Sequence, residues 1–300
     1  MDPEGILKRM LSVIRYRGPD ESGIYINNKV GLASVRLSII DIRSGQQPMS
    51  SEDGRYWIVL NGEIFNFIEL KAELKAKGYS FRTESDTEVL LYAYIHFGSK
   101  CLEKLNGQFV FAIWDNKSQE LFLARDRGGI RPLFYTYHQN TLVFGSEIKT
   151  ILEYPGISAE IDPESISQVF TFWTVISPRT VFKNILELPP GHYMHVTAER
   201  STIRSFWALN FPVDNADYFK GSLGDASVEL ERLLTEAVKI RLRSDVPVAA
   251  YLSGGLDSST TTFLIKKAVP ESLQTFSIGF EDSEFDETPF QHAVSEYLDT

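Results

Sequence analysis

Alternation of apolar and polar positions dominates the first two-thirds of the chain. Short runs rich in β-branched and aromatic residues at 31–40, 56–60, 108–114, 120–124, 133–137, 141–145 and 191–196, separated by turn-forming residues, predict strands. Two stretches change period. Residues 67–77 and 87–97 predict amphipathic helices, the second carrying Val89, Leu90, Ala93 and Phe97 at helical spacing. Ile6, Met10, Val13 and Ile14 predict a further helix at the front, with Asp2 as N-cap and Pro3 at the first helical position. The pattern predicts an α+β domain of packed antiparallel sheets with helices on their outer faces.

The remainder follows a different plan. Residues 201–224 contain Pro, Asn, Asp and Gly with weak periodicity and read as a linker. Helix 227–241 then carries Leu230, Leu233, Leu234, Val238 and Ile240 mostly on one side. An apolar strand at 246–252, a glycine turn, a helix at 258–268, a strand at 273–280 and a helix at 288–298 follow. Strand–helix–strand at this length is a βαβ unit, the start of an α/β parallel sheet. The expected division is 1–200, a linker 201–224, and 225–300. One βαβ unit cannot cover both faces of a parallel sheet, so exposed apolar surface is expected in the last part.

The turn between strand 246–252 and its helix is Ser253-Gly254-Gly255-Leu256-Asp257-Ser258-Ser259. A strand feeding a glycine turn at a helix start aims free backbone N–H groups and the positive end of the helix dipole at an anion. Ser253, Ser258 and Ser259 add hydroxyl donors. With no Lys-Ser/Thr pair it is not a Walker A loop, and its glycine spacing does not fit the dinucleotide fingerprint. It resembles the SGGxDS loop of ATP pyrophosphatases, which cleave ATP between the α- and β-phosphates. A plain strand-to-helix turn is the competing reading.

Composition adds limits. A formal charge of −10 argues against broad nucleic-acid binding, which needs a basic face. The single cysteine, Cys101, forms no intrachain disulfide or zinc cluster. No apolar run approaches the roughly 20 residues of a membrane helix, and a reducing cytosol is the expected compartment. His192 and His195 alternate on one strand and read as structural, and the aromatics at 170–173 as core or domain-interface packing.

The first part also carries an ordered series of motifs. Arg17-Gly18-Pro19-Asp20, Val35-Arg36-Leu37-Ser38, Leu60-Asn61-Gly62-Glu63, Glu84-Ser85-Asp86-Thr87, Gly107-Gln108-Phe109 and Ala124-Arg125-Asp126-Arg127 occur in turn. Together they resemble the glutaminase domain of glutamine-dependent asparagine synthetases, an N-terminal-nucleophile-hydrolase-like sandwich. The Ser253 loop then falls where that family's ATP-pyrophosphatase synthetase domain begins.

The resemblance implies that Arg36 pairs bidentately with the glutamine α-carboxylate and Asp86 holds its α-ammonium. Asn61 and the Gly62 N–H would form an oxyanion hole, with Glu63 also at the glutamine. It further implies that Ser253, Gly254, Gly255, Asp257, Ser258 and Ser259 hold the pyrophosphate of ATP, with Asp257 toward Mg²⁺, and that Leu252 and Ile278 contact the adenosine. The implied reaction amidates L-aspartate through a β-aspartyl adenylate, using ammonia from L-glutamine. No nucleic-acid or membrane partner is expected, and a homodimer is compatible. Residue by residue, plainer readings exist: Asn61-Gly62 as a hairpin turn, Asp86 as an N-cap, Leu252 and Ile278 as strand core.

One departure is sharp. The family's nucleophile is a cysteine at the mature N-terminus, and here Met1-Asp2-Pro3-Glu4 leads directly into the predicted helix. Cys101 lies just after the second helix and reads as packed. The expectation is a fragment, truncated at both ends, that hydrolyses no glutamine. A relative acting on another carboxylate, or a non-catalytic binding module, are the alternatives.

Overall fold

The computed structural model describes residues 2–211, 218–269 and 273–300. The chain divides into two units, Met1–Leu209 and Asn210–Thr300.

In the first unit the elements follow in the order α1 (Pro3–Ser12), β1 (Glu21–Ile26), β2 (Gly31–Arg36), β3 (Met49–Ser50), β4 (Tyr56–Ile64), α2 (Phe67–Ala76), α3 (Asp86–Phe97) and α4 (Cys101–Lys104). After them come β5 (Gly107–Asp115), β6 (Glu120–Arg125), β7 (Phe134–His138), β8 (Thr141–Gly145), α5 (Ile148–Leu152), α6 (Pro163–Phe172), β9 (Leu186–Glu187), β10 (His192–Val196) and β11 (Ser201–Ser205). A six-stranded sheet has the order β11-β10-β6-β5-β4-β3, and every neighbouring pair in it is antiparallel. Two smaller antiparallel sheets, β1-β2 and β8-β7-β9, complete the unit.

Strand β5 explains the layering. Phe109, Phe111 and Ile113 pack with Leu70 and Leu74 of α2 and Val89 and Leu90 of α3. The alternate residues Val110, Ala112 and Trp114 pack with Leu32 of β2 and Tyr135 of β7. Both faces are covered, which is why this strand reads as a continuous apolar run. Ile6 and Met10 of α1 pack with Val143 of β8, Ile151 of α5 and Ile185. The layers are therefore α2 and α3, the large sheet, the small sheets, then α1 and α5. Full burial of side chains such as Phe109, Phe111 and Ile113 stabilises by roughly 1.5–3 kcal/mol each.

Three expectations change. Residues 201–205 are not linker but strand β11, pairing with β10 through Met194↔Ile203. It is a largely exposed edge strand of Ser, Thr and Arg, so it has no apolar pattern to detect. Of the expected linker, residues 212–217 lie outside the described residues. The strand expected at 31–40 ends at Arg36, because the backbone turns back so that Ile40 and Asp41 carbonyls accept from its guanidinium. The aromatics near 170 are not core: Phe170 and Trp173 are 83% and 92% exposed.

The second unit contains α7 (Leu223–Arg241), β12 (Ala249–Tyr251), α8 (Leu256–Ala268), β13 (Gln274–Phe276) and α9 (Thr288–Leu298). Ser222 and Asp225 form a capping box that starts α7 four residues before the expected position. β12 and β13 are parallel, as a βαβ unit requires. Its core is small, Ala250, Ile265 and Leu273. Val228, Leu230 and Leu233 of α7 and Tyr251 and Phe276 of the strands are exposed.

Candidate active site

In the first unit Arg36, Asn61, Gly62, Glu63 and Asp86, five positions far apart in sequence, line one cavity of about 1360 Å³. The edge of β4 organises them. The Leu60 N–H donates to Gln47 Oε1 at 2.7 Å and the Ile64 N–H to Asp86 Oδ2 at 2.9 Å. Strand alternation puts the Gly62 N–H on that same edge, between them. It has no protein acceptor among the described residues. Asn61 and Gly62 are thus strand residues paired with Val110 and Phe109, not a hairpin turn.

Gly62 is irreplaceable for steric reasons. Its φ is 135°, and a Cβ there would stand 1.9 Å from the Gln108 carbonyl oxygen. Only glycine lets β4 approach β5 this closely while keeping the amide aimed outward.

Asn61 Nδ2 donates to Ser146 Oγ at 3.0 Å. Ser146, just past β8, was not singled out from the sequence, since nothing local links residues 85 positions apart. It holds the amide in place. Ser146→Ala removes one hydrogen bond worth about 1 kcal/mol, so the first unit is expected to lose about that much stability. Urea unfolding of both proteins checks this, and an unchanged stability would mean that Ser146 does not hold Asn61.

Asp86 is buried, and burial pushes its carboxyl up to about 6, against the opposing hydrogen bond from the Ile64 N–H; the nearby Glu63 charge raises it further. The N-cap of α3 is Ser85, whose Oγ accepts from the Thr87 N–H at 3.2 Å. Asp86 is the first helical residue instead, which leaves it facing the cavity. Burial raises the Glu63 carboxyl as well, opposed by the Arg131 charge.

Arg36 is buried too, but its guanidinium is largely engaged. Nη1 donates to Glu21 Oε2 at 2.9 Å, and Nη2 donates to the Ile40 and Asp41 carbonyls at 2.8 and 2.9 Å. The two donors left, Nε–H and one Nη1–H, do not form a parallel fork. A carboxylate arriving here meets single donors unless it displaces Glu21.

Other motif residues are structural. Arg125 donates to the Arg131, Gly129 and Leu188 carbonyls and to Glu187. Asp126 accepts from the Phe109, Ile130 and Arg131 N–H groups. They tie down the loop that carries Arg131 to the cavity wall. Cys101 is fully buried among Leu90, Leu102 and their neighbours on the helix side of the large sheet, and burial pushes its thiol up to about 12. It is neither ionised at neutral pH nor among the cavity-lining residues.

In the second unit the loop 252–255 leads into α8. Gly254 has φ 84°, and a Cβ there would meet Phe290 Cβ at 2.6 Å and the Gln291 N at 2.8 Å. The loop closes on itself. Ser253 and Ser258 hydroxyls lie 2.9 Å apart, the Gly255 N–H donates to Ser253 Oγ, and the Ser253 N–H donates to Ser258 Oγ. Ser259 Oγ is buried with no hydrogen-bond partner. Asp257 is exposed in the first turn of α8. Leu252 is buried while Ile278 is 65% exposed, so of the two only Ile278 offers its side chain to a ligand. Among the described residues no group of three or more His, Cys, Asp or Glu could hold a metal unaided. No described helix is long and apolar enough to cross a membrane.

Sequence comparison matches residues 1–207 to a family described as glutamine amidotransferase domain. The chain belongs to the glutamine amidotransferase family. Residues 229–300 match a second family, asparagine synthase, and the two matches follow one another as in the resemblance read from the motifs. Asparagine synthetase (glutamine-hydrolyzing) 1 of Bacillus subtilis is 41% identical over 95% of this chain and 44% of its own length. A putative asparagine synthetase (glutamine-hydrolyzing) 2 of Methanocaldococcus jannaschii is 37% identical over 98% of this chain and 60% of its own length. Amidase chry2 of Gibberella zeae is 37% identical over 97% of this chain and 45% of its own length. The chain thus spans roughly half the length of these relatives. A solved glutamine phosphoribosylpyrophosphate amidotransferase of B. subtilis aligns over 94% of this chain and 65% of its own, at 18% identity and TM-score 0.49.

Proposed function

We propose that this amidotransferase chain belongs to a glutamine-dependent asparagine synthetase, with an N-terminal-nucleophile-hydrolase-like front unit and the start of an ATP-pyrophosphatase unit behind it. The observation that carries the reading is the β4 edge. An unpaired Gly62 N–H and the Asn61 amide flank each other beside buried Asp86, at one end of a cavity.

L-Glutamine fits that end by charge. Its α-ammonium pairs with Asp86, and Arg36 offers a single remaining donor to the α-carboxylate. The side-chain carbonyl points at the Gly62 N–H and Asn61 Nδ2, which stabilise oxygen as negative charge develops on it. Glu63 lies next to Asp86 and reinforces selection of a cation. Ammonia released here would amidate L-aspartate after adenylylation. This chain's part in that second reaction is to hold the nucleotide.

The loop 253–259 fits a pyrophosphate. Its hydroxyls bond to one another in a helix N-terminal turn, and Ser259 Oγ awaits an acceptor. ATP supplies the adenylyl group when bound. Ser253, Gly254, Gly255, Ser258 and Ser259 would cradle its pyrophosphate, and Ile278 would touch the adenosine. Asp257, exposed in the first turn of α8, would be a carboxylate for Mg²⁺, which usually combines one or two carboxylates with phosphate oxygens. Gly254→Ala is expected to abolish Mg·ATP binding because the added Cβ collides with α9. Equal binding by both proteins in equilibrium dialysis would count against the loop.

The polypeptide 1–300 is expected to release no glutamate from glutamine above a no-protein control, because its one thiol is the buried Cys101. Glutamate release that Cys101→Ser eliminates would overturn this. The match to amidase chry2, a relative not named as an asparagine synthetase, leaves one other reading, the same two units acting on a carboxylate other than aspartate. Turnover with aspartate against other carboxylic acids, in a protein carrying both complete units, separates the two.

A further inference from the structure

Arg36 ends β2 and Asp86 begins α3, and the loop 40–47 reaches both. At the Arg36 end, Nη2 donates to the Ile40 and Asp41 carbonyls at 2.8 and 2.9 Å. The loop lies hard against the guanidinium, since a Cβ on Gly45 would stand 2.4 Å from Arg36 Nη2. The Gly45 N–H donates to the same Asp41 carbonyl at 3.0 Å, which closes the turn.

At the Asp86 end the same residue reaches out with its side chain. Asp41 Oδ2 accepts the Glu84 N–H at 2.8 Å, two residues before Asp86. Its Oδ1 accepts the Ser44 N–H and hydroxyl at 2.9 and 2.8 Å. Asp41 is buried, and burial alone would raise its carboxyl. The hydrogen bonds from Ser44 and Glu84, with the Arg36 charge, hold it below its usual value instead. It is therefore ionised at neutral pH, and its hydrogen bonds are charge-assisted. Its φ of 51° is left-handed, an uncommon conformation outside glycine.

The corner that Asp41 grips is also held from α3. Fully buried Glu88 accepts the Arg82 and Thr83 N–H groups and the Thr83 hydroxyl. Gln47 adds a second link from the loop, its Nε2 donating to Thr87 Oγ1 at 3.2 Å. Asp41 alone carries both ends in one residue, its carbonyl on Arg36 and its carboxylate on Glu84.

We propose that Asp41 is a positioning residue that fixes the separation of Arg36 from Asp86, and so makes the site select ligands with a carboxylate and an ammonium on one carbon. This role rests on the reading of Arg36 and Asp86 as the two head-group partners of glutamine. Asp41 is not among the cavity-lining residues and acts without touching the ligand. A ligand carrying both groups collects both contacts only where their spacing is preset. A ligand carrying one group meets one contact and is indifferent to the spacing.

Calorimetric titration of the full 300-residue chain with four compounds tests this. L-Glutamine has both groups, 4-carbamoylbutanoate lacks the ammonium, and 4-aminobutanamide lacks the carboxylate. L-Norvaline keeps the head group and lacks the side-chain amide. Asp41→Asn tolerates the positive φ but offers one oxygen where Ser44 and Glu84 use two. It is expected to bind L-glutamine about fivefold more weakly, the equivalent of one hydrogen bond. Both single-group compounds should change by less than about twofold. A fall of equal size for all three, which a merely structural role would give, or no fall for L-glutamine, would overturn the proposal.

Gly45→Ala pushes the guanidinium aside from the other direction. It is expected to weaken L-glutamine and 4-carbamoylbutanoate and to leave 4-aminobutanamide unchanged, and equal weakening of all three would count against the loop's role. L-Norvaline bound as tightly as L-glutamine, with the same selective fall in Asp41→Asn, would uphold Asp41 and overturn the glutamine reading. A preference for L-glutamine over L-norvaline without the selective fall would do the reverse. Absence of binding by all four compounds would overturn both.

Discussion

Asp86→Asn is expected to weaken L-glutamine binding about 30-fold or more at pH 8 while making the first unit more stable. The two effects have one cause. Asp86 is buried and accepts the Ile64 N–H, yet its carboxyl is pushed up to about 6 by burial. Its ionised form is therefore held at a cost that a cationic ligand relieves. Removing one partner of a buried charge pair costs about 2–5 kcal/mol of binding, which is the source of the 30-fold figure.

The sign of the stability effect follows from linkage. The folded carboxyl titrates near 6 against an ordinary value of 3.8, so Asp86 favours folding below the ordinary value and loses that contribution as pH rises through the folded one. A shift of that size amounts to roughly 3 kcal/mol. Asparagine escapes this penalty and still offers an oxygen to the Ile64 N–H. The gain in stability should thus be up to about that size above pH 6 and should vanish near pH 4. Glutamine affinity of the unsubstituted chain should fall about tenfold per pH unit below 6, where Asp86 is neutral and the ligand still cationic. Urea unfolding and calorimetric titration across pH 4–8 check both. A variant that loses stability at pH 8, or an affinity flat from pH 5 to 8, would contradict the assignment.

Gly62→Ala carries the second large effect. The added methyl would lie 1.9 Å from the Gln108 oxygen and 2.8 Å from the Phe109 Cα. Nothing there is a flexible side chain end that can swing aside. Positive-φ strain costs about 1–3 kcal/mol, and overpacking a further 1–3. The first unit is expected to lose about 3–5 kcal/mol, or to part β4 from β5 and turn the amide away. Gly54→Ala is the fitting control, since it also has positive φ, at 68°, but meets no atom within 4 Å. It should show strain alone. Equal losses in the two variants would mean that the close approach of β4 and β5 is not what selects glycine at 62.

Legibility in the sequence tracked how local each signal was. The runs that became β4, β5 and β6 alternate or stay apolar because their faces are buried, and that survives in one dimension. Pro3 and the spacing of Ile6 and Met10 marked α1, and α9 begins at Thr288 as its pattern predicts. Strand β11 escaped because an exposed edge needs no apolar face. That Arg36, Asn61, Gly62, Glu63 and Asp86 belong together was legible through motifs and they line one cavity, yet three features of their surroundings were not. Ser146 reaches Asn61 across 85 residues, the Arg36 fork is filled by Glu21 and two carbonyls, and Ser85 displaces Asp86 from the N-cap. Each is a tertiary contact with no periodicity of its own. Arg125 and Asp126 showed the reverse, a motif whose residues brace a loop and leave the cavity to Arg131.

Crystals of the chain soaked with L-glutamine test the central claim most directly. The account predicts the ligand at the Asn61 end of the cavity, its ammonium on Asp86 and its side-chain carbonyl oxygen within hydrogen-bond distance of the Gly62 N–H. Glutamine bound with its amide away from Gly62, or absent from that end when solution binding is saturated, would contradict it.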